Sequence, residues 1–229
     1  MAPVEAPVDR NGPAGAPMDP IPMRFELDDL EHDALTELGN IGVGRASTAL
    51  SRMIGGPVEL SVPMVSLVPG DRVSGLLRSA LPGALIAVTE CLSGTFLGSA
   101  ILLMPERSGL PLAAAALPPG VPKEDAVELV EEVLAEVGNI VLNSCLSSMG
   151  NLLGVAVGTT LPQVLRGVGD DLLERCGVAL TAEAQAILFH VTFRTPPHDV
   201  EGTVVLALDA GSAMELKAAI GRYIGRVLA

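Results

Sequence analysis

Two glutamate–asparagine pairs dominate the chemistry this sequence can offer: Glu37 with Asn40, and Glu136 with Asn139. At i and i+3 of a helix such side chains emerge from one face, with Cβ atoms about 5–6 Å apart. A carboxylate beside a carboxamide makes a poor general-base dyad and a poor metal site. It suits the positioning of water, because an Asn amide donates and accepts hydrogen bonds at once. Such an amide can aim one water at a phosphorus that no protein atom attacks. Phosphoryl transfer asks chiefly for placement and charge rather than for a protein nucleophile. The glutamate would then hold a cation on the partner that brings the phosphate, through a charge-assisted hydrogen bond. A single E-x-x-N on a helix is most often a solvated face. Its recurrence in matching register gives it weight.

That register belongs to a duplicated unit. Residues 37–41 read ELGNI and residues 136–140 read EVGNI, an offset of 99. At the same offset Gly55 matches Gly154, Val58 matches Val157 and Pro63 matches Pro162. GSAILLM from Gly98 matches GTVVLAL from Gly202, with five extra residues in the second copy. Each copy reads as a long helix, several strands and a closing helix, over about 26–105 and 124–209, with a further helix after them.

The elements that must position the pairs follow from periodicity. From Asp33 onward, one side of the first helix collects Leu35, Leu38, Gly42, Ala46, Ala49 and Met53, and the other Asp33, Glu37, Asn40, Gly44, Thr48 and Ser51. In the second helix Val130, Leu134, Val137, Val141, Cys145 and Leu152 oppose Glu132, Glu136, Asn139, Asn143 and Ser147. Both have the i, i+3, i+4, i+7 spacing of amphipathic helices. Gly39, Gly42 and Gly44 each cost about 1 kcal/mol relative to Ala in a helix interior. That cost predicts close approach, by a strand on the Gly42 side or by a docking partner on the Gly44 side. Extended runs follow at Val58–Val62, Gly83–Glu90 and Thr95–Met104, then Leu180–Phe193 and Thr203–Leu208, joined most simply as antiparallel hairpins. A last amphipathic helix spans Ser212–Val227, with Leu216, Ile220, Ile224 and Val227 on one stripe. Six prolines within residues 1–22 mark residues 1–24 as a disordered tail, leaving 25–229 as one domain. Prolines 105, 111, 118, 119 and 122 mark 106–123 as a connector with one or two helical turns.

Composition narrows the function classes. Of 229 residues 49% are hydrophobic and 18% charged, which excludes wholesale disorder. A net charge of −13 argues against a nucleic-acid or anionic-membrane surface, since both require a basic face. Mean hydropathy is +0.49, yet the apolar-rich stretch 84–104 is broken by Thr89, Glu90, Ser93, Gly94 and Thr95. It falls short of the roughly 20 consecutive apolar residues a span needs, so no membrane insertion is expected. Cys91, Cys145 and Cys176 form no C-x-x-C pair and are assigned to the core. The three histidines lack metal-ligand spacing, and the N-terminus lacks a secretory pattern. A cytoplasmic setting follows as the expectation, with no metal or cofactor of the protein's own.

The first half reads Asp33-x3-Glu37-x2-Asn40-x22-Pro63. This resembles the D/S-x3-E-x2-N-x22-P signature of the CheC/CheX/FliY family of chemotaxis phosphatases. The second half repeats it from Glu136 and Asn139 to Pro162, with Glu132 in place of Asp or Ser. The resemblance covers about residues 26–209, and its two copies are closer to the CheC type than to the single-site CheX type. No flagellar-switch domain is read after residue 209, unlike the FliY type. The resemblance implies a pseudo-twofold α+β fold, two antiparallel sheet halves flanked by two long helices. It implies hydrolysis of the phospho-aspartate of a CheY-like response regulator, with Glu37, Asn40, Glu136 and Asn139 as catalytic residues. Magnesium would sit on the regulator, and the receptor deamidase CheD would be a second partner.

Two other readings compete with the enzyme: a non-catalytic adaptor of the same fold that binds CheD or a regulator, and a structural part of the flagellar switch. The duplication predicts that Asn40 and Asn139 occupy equivalent places, both at least partly open to solvent. On a solvated face, either asparagine changed to alanine should alter stability by no more than about 0.5 kcal/mol.

Overall fold

The computed structural model describes residues 26–117, 126–195 and 198–229. The proline-rich tail over 1–24 and the connector from 118 to 123 lie outside the described residues. Helix α1 (Asp29–Ile54) begins four residues before Asp33, because Asp28 and Glu31 form a reciprocal cap. The Asp28 carboxylate accepts from the Glu31 N–H at 2.8 Å, and Glu31 accepts from the Asp28 N–H at 2.9 Å. Its partner in the second half is α4 (Ala126–Leu153). Both end at a left-handed glycine, Gly55 and Gly154, each with φ 73°, which explains why these two glycines recur in the repeat.

The first half continues with β1 (Glu59–Pro69), α2 (Gly70–Ala80), β2 (Leu85–Gly94), β3 (Gly98–Pro105) and α3 (Glu106–Ala115). The second continues with β4 (Val157–Thr159), β5 (Gln163–Gly167), α5 (Gly169–Arg175), β6 (Gln185–Thr195), β7 (His198–Leu208) and α6 (Ala210–Val227). All strands join one antiparallel sheet in the order β1-β6-β7-β3-β2, with β4 and β5 both paired to β2. Together β4 and β5 are the counterpart of β1. Pro63 falls in the register shift between Ser61 and Met64 of β1, and Pro162 in the break between β4 and β5. A proline has no N–H to give a ladder. The expected α+β, pseudo-twofold architecture is therefore present, with the two halves exchanged. Each half's first strand pairs with the second strand of the other half, and the halves meet where β3 pairs with β7.

Register refines the repeat. Val65 opposes Phe189 and its counterpart Val164 opposes Val88, so Phe189 and Val88 are equivalent. The hairpin pairings then make Gly98 equivalent to Val200 and not to Gly202, a two-residue slip from the match read in sequence. An even slip leaves every side chain on its expected face.

Helices α1 and α4 pack together on one face of the sheet over the main core, which includes Leu35, Leu38, Leu134, Val137, Ile86, Val88, Phe189 and Phe193. A smaller core lies on the other face, where Val73 and Leu77 of α2 and Leu172 and Leu173 of α5 cover Ala87, Ile101 and Leu188. The sequence reading assigned no helix at α2 or α5. Helix α3 is ten residues long, a fuller helix than the short turns expected there; Leu112 and Ala113 are buried against the core, and this packing outweighs the internal Pro111. At Gly42 the close neighbour is a helix and not a strand: a Cβ there would lie 2.6 Å from the Cys145 backbone of α4. The glycines just before the two asparagines let the helices touch the sheet. A Cβ on Gly39 would meet the Phe189 ring at 2.8 Å, and one on Gly138 would meet Val88 at 2.3 Å. Cys91 is exposed, contrary to the core assignment, whereas Cys145 and Cys176 are buried.

Two outcomes are expected. Gly138→Ala should lower stability by about 1–3 kcal/mol through overpacking. Gly44→Ala, with nothing within 4 Å of the added carbon, should raise it by about 0.5–1 kcal/mol; thermal melts of the two variants decide, and equal shifts would contradict the packing described. Burial pushes the Cys145 thiol up to about 12 and Cys176 up to about 11. Native alkylation at mildly alkaline pH should therefore label Cys91 alone, the other two reacting only after unfolding, as read by peptide mass mapping.

Candidate functional site

The polar flank of α1 runs along β1, the edge strand of its half, and bonds to it directly. Ser51 Oγ accepts from the Val58 N–H at 2.9 Å, and Ser47 Oγ from the Leu60 N–H at 2.8 Å. Asn40 Oδ1 accepts from the Val62 N–H at 3.1 Å, and His32 Nε2 donates to the Val65 carbonyl at 3.1 Å. Alternate residues of a strand turn their amides to the same side, so the stripe that carries Asn40 stands where a further strand would otherwise pair. Glu37, one turn earlier on this stripe, is exposed, and Asn40 is half-buried.

The second half repeats the exposure and changes the wiring. Glu136 is exposed and Asn139 half-buried. The counterparts of Ser47 and Ser51 are Leu146 and Gly150, and that of Val62 is Leu161, 87% exposed in the break between β4 and β5. Among the described residues no strand amide reaches Asn139; its Oδ1 accepts instead from Asn143 Nδ2 at 2.6 Å. The same Nδ2 reaches the Glu90 carboxylate at 3.4 and 3.5 Å, and Asn143 Oδ1 accepts from the Thr159 hydroxyl at 3.1 Å. Glu90 projects from β2 beneath α4 and is 1% exposed. Burial holds its carboxyl above the usual Glu value, against the opposing pull of the nearby Thr159 hydroxyl and Asn143 amide.

The structure thus places the four predicted residues as two pairs, one on each long helix, beside opposite edges of the sheet. In both pairs the asparagine carbonyl is held by a donor, while the amide nitrogen has no protein acceptor among the described residues. Each pair therefore offers free N–H donors beside an exposed carboxylate, a set able to hold a water and a phosphoryl oxygen. No group of His, Cys, Asp and Glu able to hold a metal occurs among the described residues, and none of their helices is long and apolar enough to cross a membrane. Because each asparagine satisfies a donor, alanine at either position should cost about 1 kcal/mol or more, and not the near-zero change expected of a solvated face. Sequence reasoning passed over Glu90; the available signal was a lone charge inside the apolar run 85–92.

Comparison with known proteins bears on the same residues. The CheC-like family model matches residues 30–67, which contain Glu37, Asn40 and Pro63. The chain is 28% identical over 147 residues to the flagellar motor switch phosphatase FliY of Bacillus subtilis, covering 63% of this chain and 38% of that protein. It is 27% identical over 138 residues to the CheY-P phosphatase CheC of the same organism, covering 58% of this chain and 64% of the other. The chain thus spans less than two thirds of the length of either relative. Among solved structures, the crystal structure of Thermotoga maritima FliY superposes with a TM-score of 0.66 at 18% identity, covering 86% of this chain and 98% of that one. The FliM middle domain of H. pylori gives 0.60 at 10% identity, covering 84% and 99%. At these identities the superpositions establish the shared fold.

The buried carboxylate makes a checkable contribution to stability. Glu90 binds its proton more tightly in the folded chain than in the unfolded one. Its contribution is fully present below pH 4.5 and is lost as pH rises through the elevated folded value. Glu90→Gln does not titrate, so its melting temperature relative to the parent should climb from acid toward neutral pH. A flat or falling difference would contradict the desolvation of Glu90.

Proposed function

We propose that this CheC-like chain is a phosphatase that hydrolyses the phospho-aspartate of a CheY-like response regulator at two quasi-equivalent sites. The observation that carries this reading is the doubled presentation of one carboxamide. In each half the carbonyl is held and the N–H donors have no acceptor among the described residues, one helical turn from an exposed glutamate. The names of the two Bacillus relatives, a CheY-P phosphatase and a motor switch phosphatase, point to the same chemistry.

In this mechanism Glu37 or Glu136 holds a cationic side chain of the regulator, and Asn40 or Asn139 orients the attacking water. A free amide hydrogen binds the water through one lone pair of its oxygen. The remaining lone pair on the water then points at phosphorus. The new P–O bond forms as the acyl phosphate P–O bond breaks. The aspartate leaves with that electron pair as carboxylate, and both protons of the water end on the product, dihydrogen phosphate. Neutralisation of the phosphoryl oxygens falls to the magnesium the regulator carries. The chain's own part is placement, the larger share of what phosphoryl transfer requires.

The second reading is a non-catalytic adaptor of the same fold that binds CheD or a regulator. Placing both Glu and Asn at both sites favours the enzyme, since binding alone does not call for an oriented carboxamide. Phosphate release from a phosphorylated regulator separates the two readings. Asn40→Ala and Asn139→Ala should each leave one working site, and only the double variant should fall to the regulator's own rate. Glu37→Ala and Glu136→Ala should weaken regulator binding by about 1.5–3 kcal/mol where the contact is desolvated. A folded double-asparagine variant that hydrolyses at the parental rate excludes this mechanism, and a parent that gives no acceleration leaves the adaptor.

A further inference from the structure

Resting on that phosphatase reading, we infer that Glu90 is the positioning residue of the second site: through Asn143 it fixes which end of the Asn139 carboxamide faces outward. The argument is one of hydrogen-bond polarity. A carboxylate can only accept, whereas a carboxamide has a donating and an accepting end. With Glu90 beneath it, Asn143 must turn its NH2 group toward the carboxylate, and its oxygen accepts from the Thr159 hydroxyl. The NH2 group also serves Asn139 Oδ1 at 2.6 Å. Asn139 is thereby held with its oxygen inward and its N–H donors toward solvent. Reversing Asn143 would set its oxygen against a buried carboxylate, and the reversal would pass on to Asn139.

The first site reaches the same orientation without this chain of bonds. There the Val62 N–H, which can only donate, holds Asn40 Oδ1 directly. The counterpart of Asn143 is Gly44, and by strand register the counterpart of Glu90 is Val191, buried and apolar. The two devices differ in what can undo them. A backbone N–H at position 62 survives any side-chain change. The second site depends on a group at position 90 that accepts and never donates. Glu90→Gln keeps the size and removes this restriction, because a glutamine can present its own NH2 and let Asn143 turn.

The test uses the full chain in two backgrounds, Asn40→Ala with only the second site and Asn139→Ala with only the first. Glu90→Gln should lower kcat at the second site about tenfold, on the scale of a misplaced reacting group, with KM for the phosphorylated regulator unchanged. It should leave the first-site rate as it was. In parallel, the side-chain amide NMR signals of Asn40, Asn139 and Asn143 are assigned by their loss on alanine substitution. Glu90→Gln should shift or split those of Asn139 and Asn143 and leave Asn40 in place. Asn143→Asp, which removes the donor from the other side, should move the Asn139 signal in the same way. Unmoved Asn139 signals overturn the inference, and so does an unchanged second-site kcat in an active protein. Moved Asn139 signals in a protein that never accelerates hydrolysis uphold the positioning while overturning the phosphatase reading.

Discussion

The structure depends on one exchange of strands. β1 leaves the first half to pair with β6, and β5 leaves the second half to pair with β2. Neither half closes its own sheet, so the hydrophobic cores on both faces are assembled from residues of both copies. The same exchange places the Glu–Asn pairs. Each long helix packs over the second strand of the other half, Gly39 against Phe189 and Gly138 against Val88. The missing side chains at these glycines let the helix settle low enough for the next residue, the asparagine, to reach the groove between helix and strand. Gly-Asn is one packing solution, used twice.

Much of this was legible from spacing alone. The two helices, their faces and the paired Glu and Asn followed from a 3.6-residue period and a 99-residue offset, because both record burial directly. Helices α2 and α5 did not follow, since GDRVSGLLRSA and GDDLLER are short and mostly polar, and form against the back of a sheet that the sequence does not display. Their shared Gly-Asp at positions 70–71 and 169–170 holds the same offset as the repeat and was the signal available. The start of α1 at Asp29 was written in the Asp28 and Glu31 capping box, upstream of the apolar pattern used to place it. The role of Glu90 could not be read, because it arises from side chains 49 and 53 residues further along the chain, Asn139 and Asn143.

The duplication has also diverged where chemistry permits. Position 40 is held by a strand amide and position 139 by side chains, so the two sites share an outward face and differ in their supports. A buried carboxylate with no counter-ion among the described residues is a costly support, and the costs of the two copies are correspondingly unequal. Duplicated sites built on different supports are free to lose or tune one copy while the other stays intact.

The stripe of α1 that holds β1 has a consequence at the level of the whole molecule. An open sheet edge invites another chain to add a strand. Along Val58, Leu60 and Val62 the outward amides are already bonded to Ser51, Ser47 and Asn40. A fibre grown by stacking copies edge to edge needs two receptive edges on every copy. Over this stretch the edge has no outward N–H left to give an incoming strand. The side chains that dress the groove beside Asn40 thus also guard this part of the edge against an added strand.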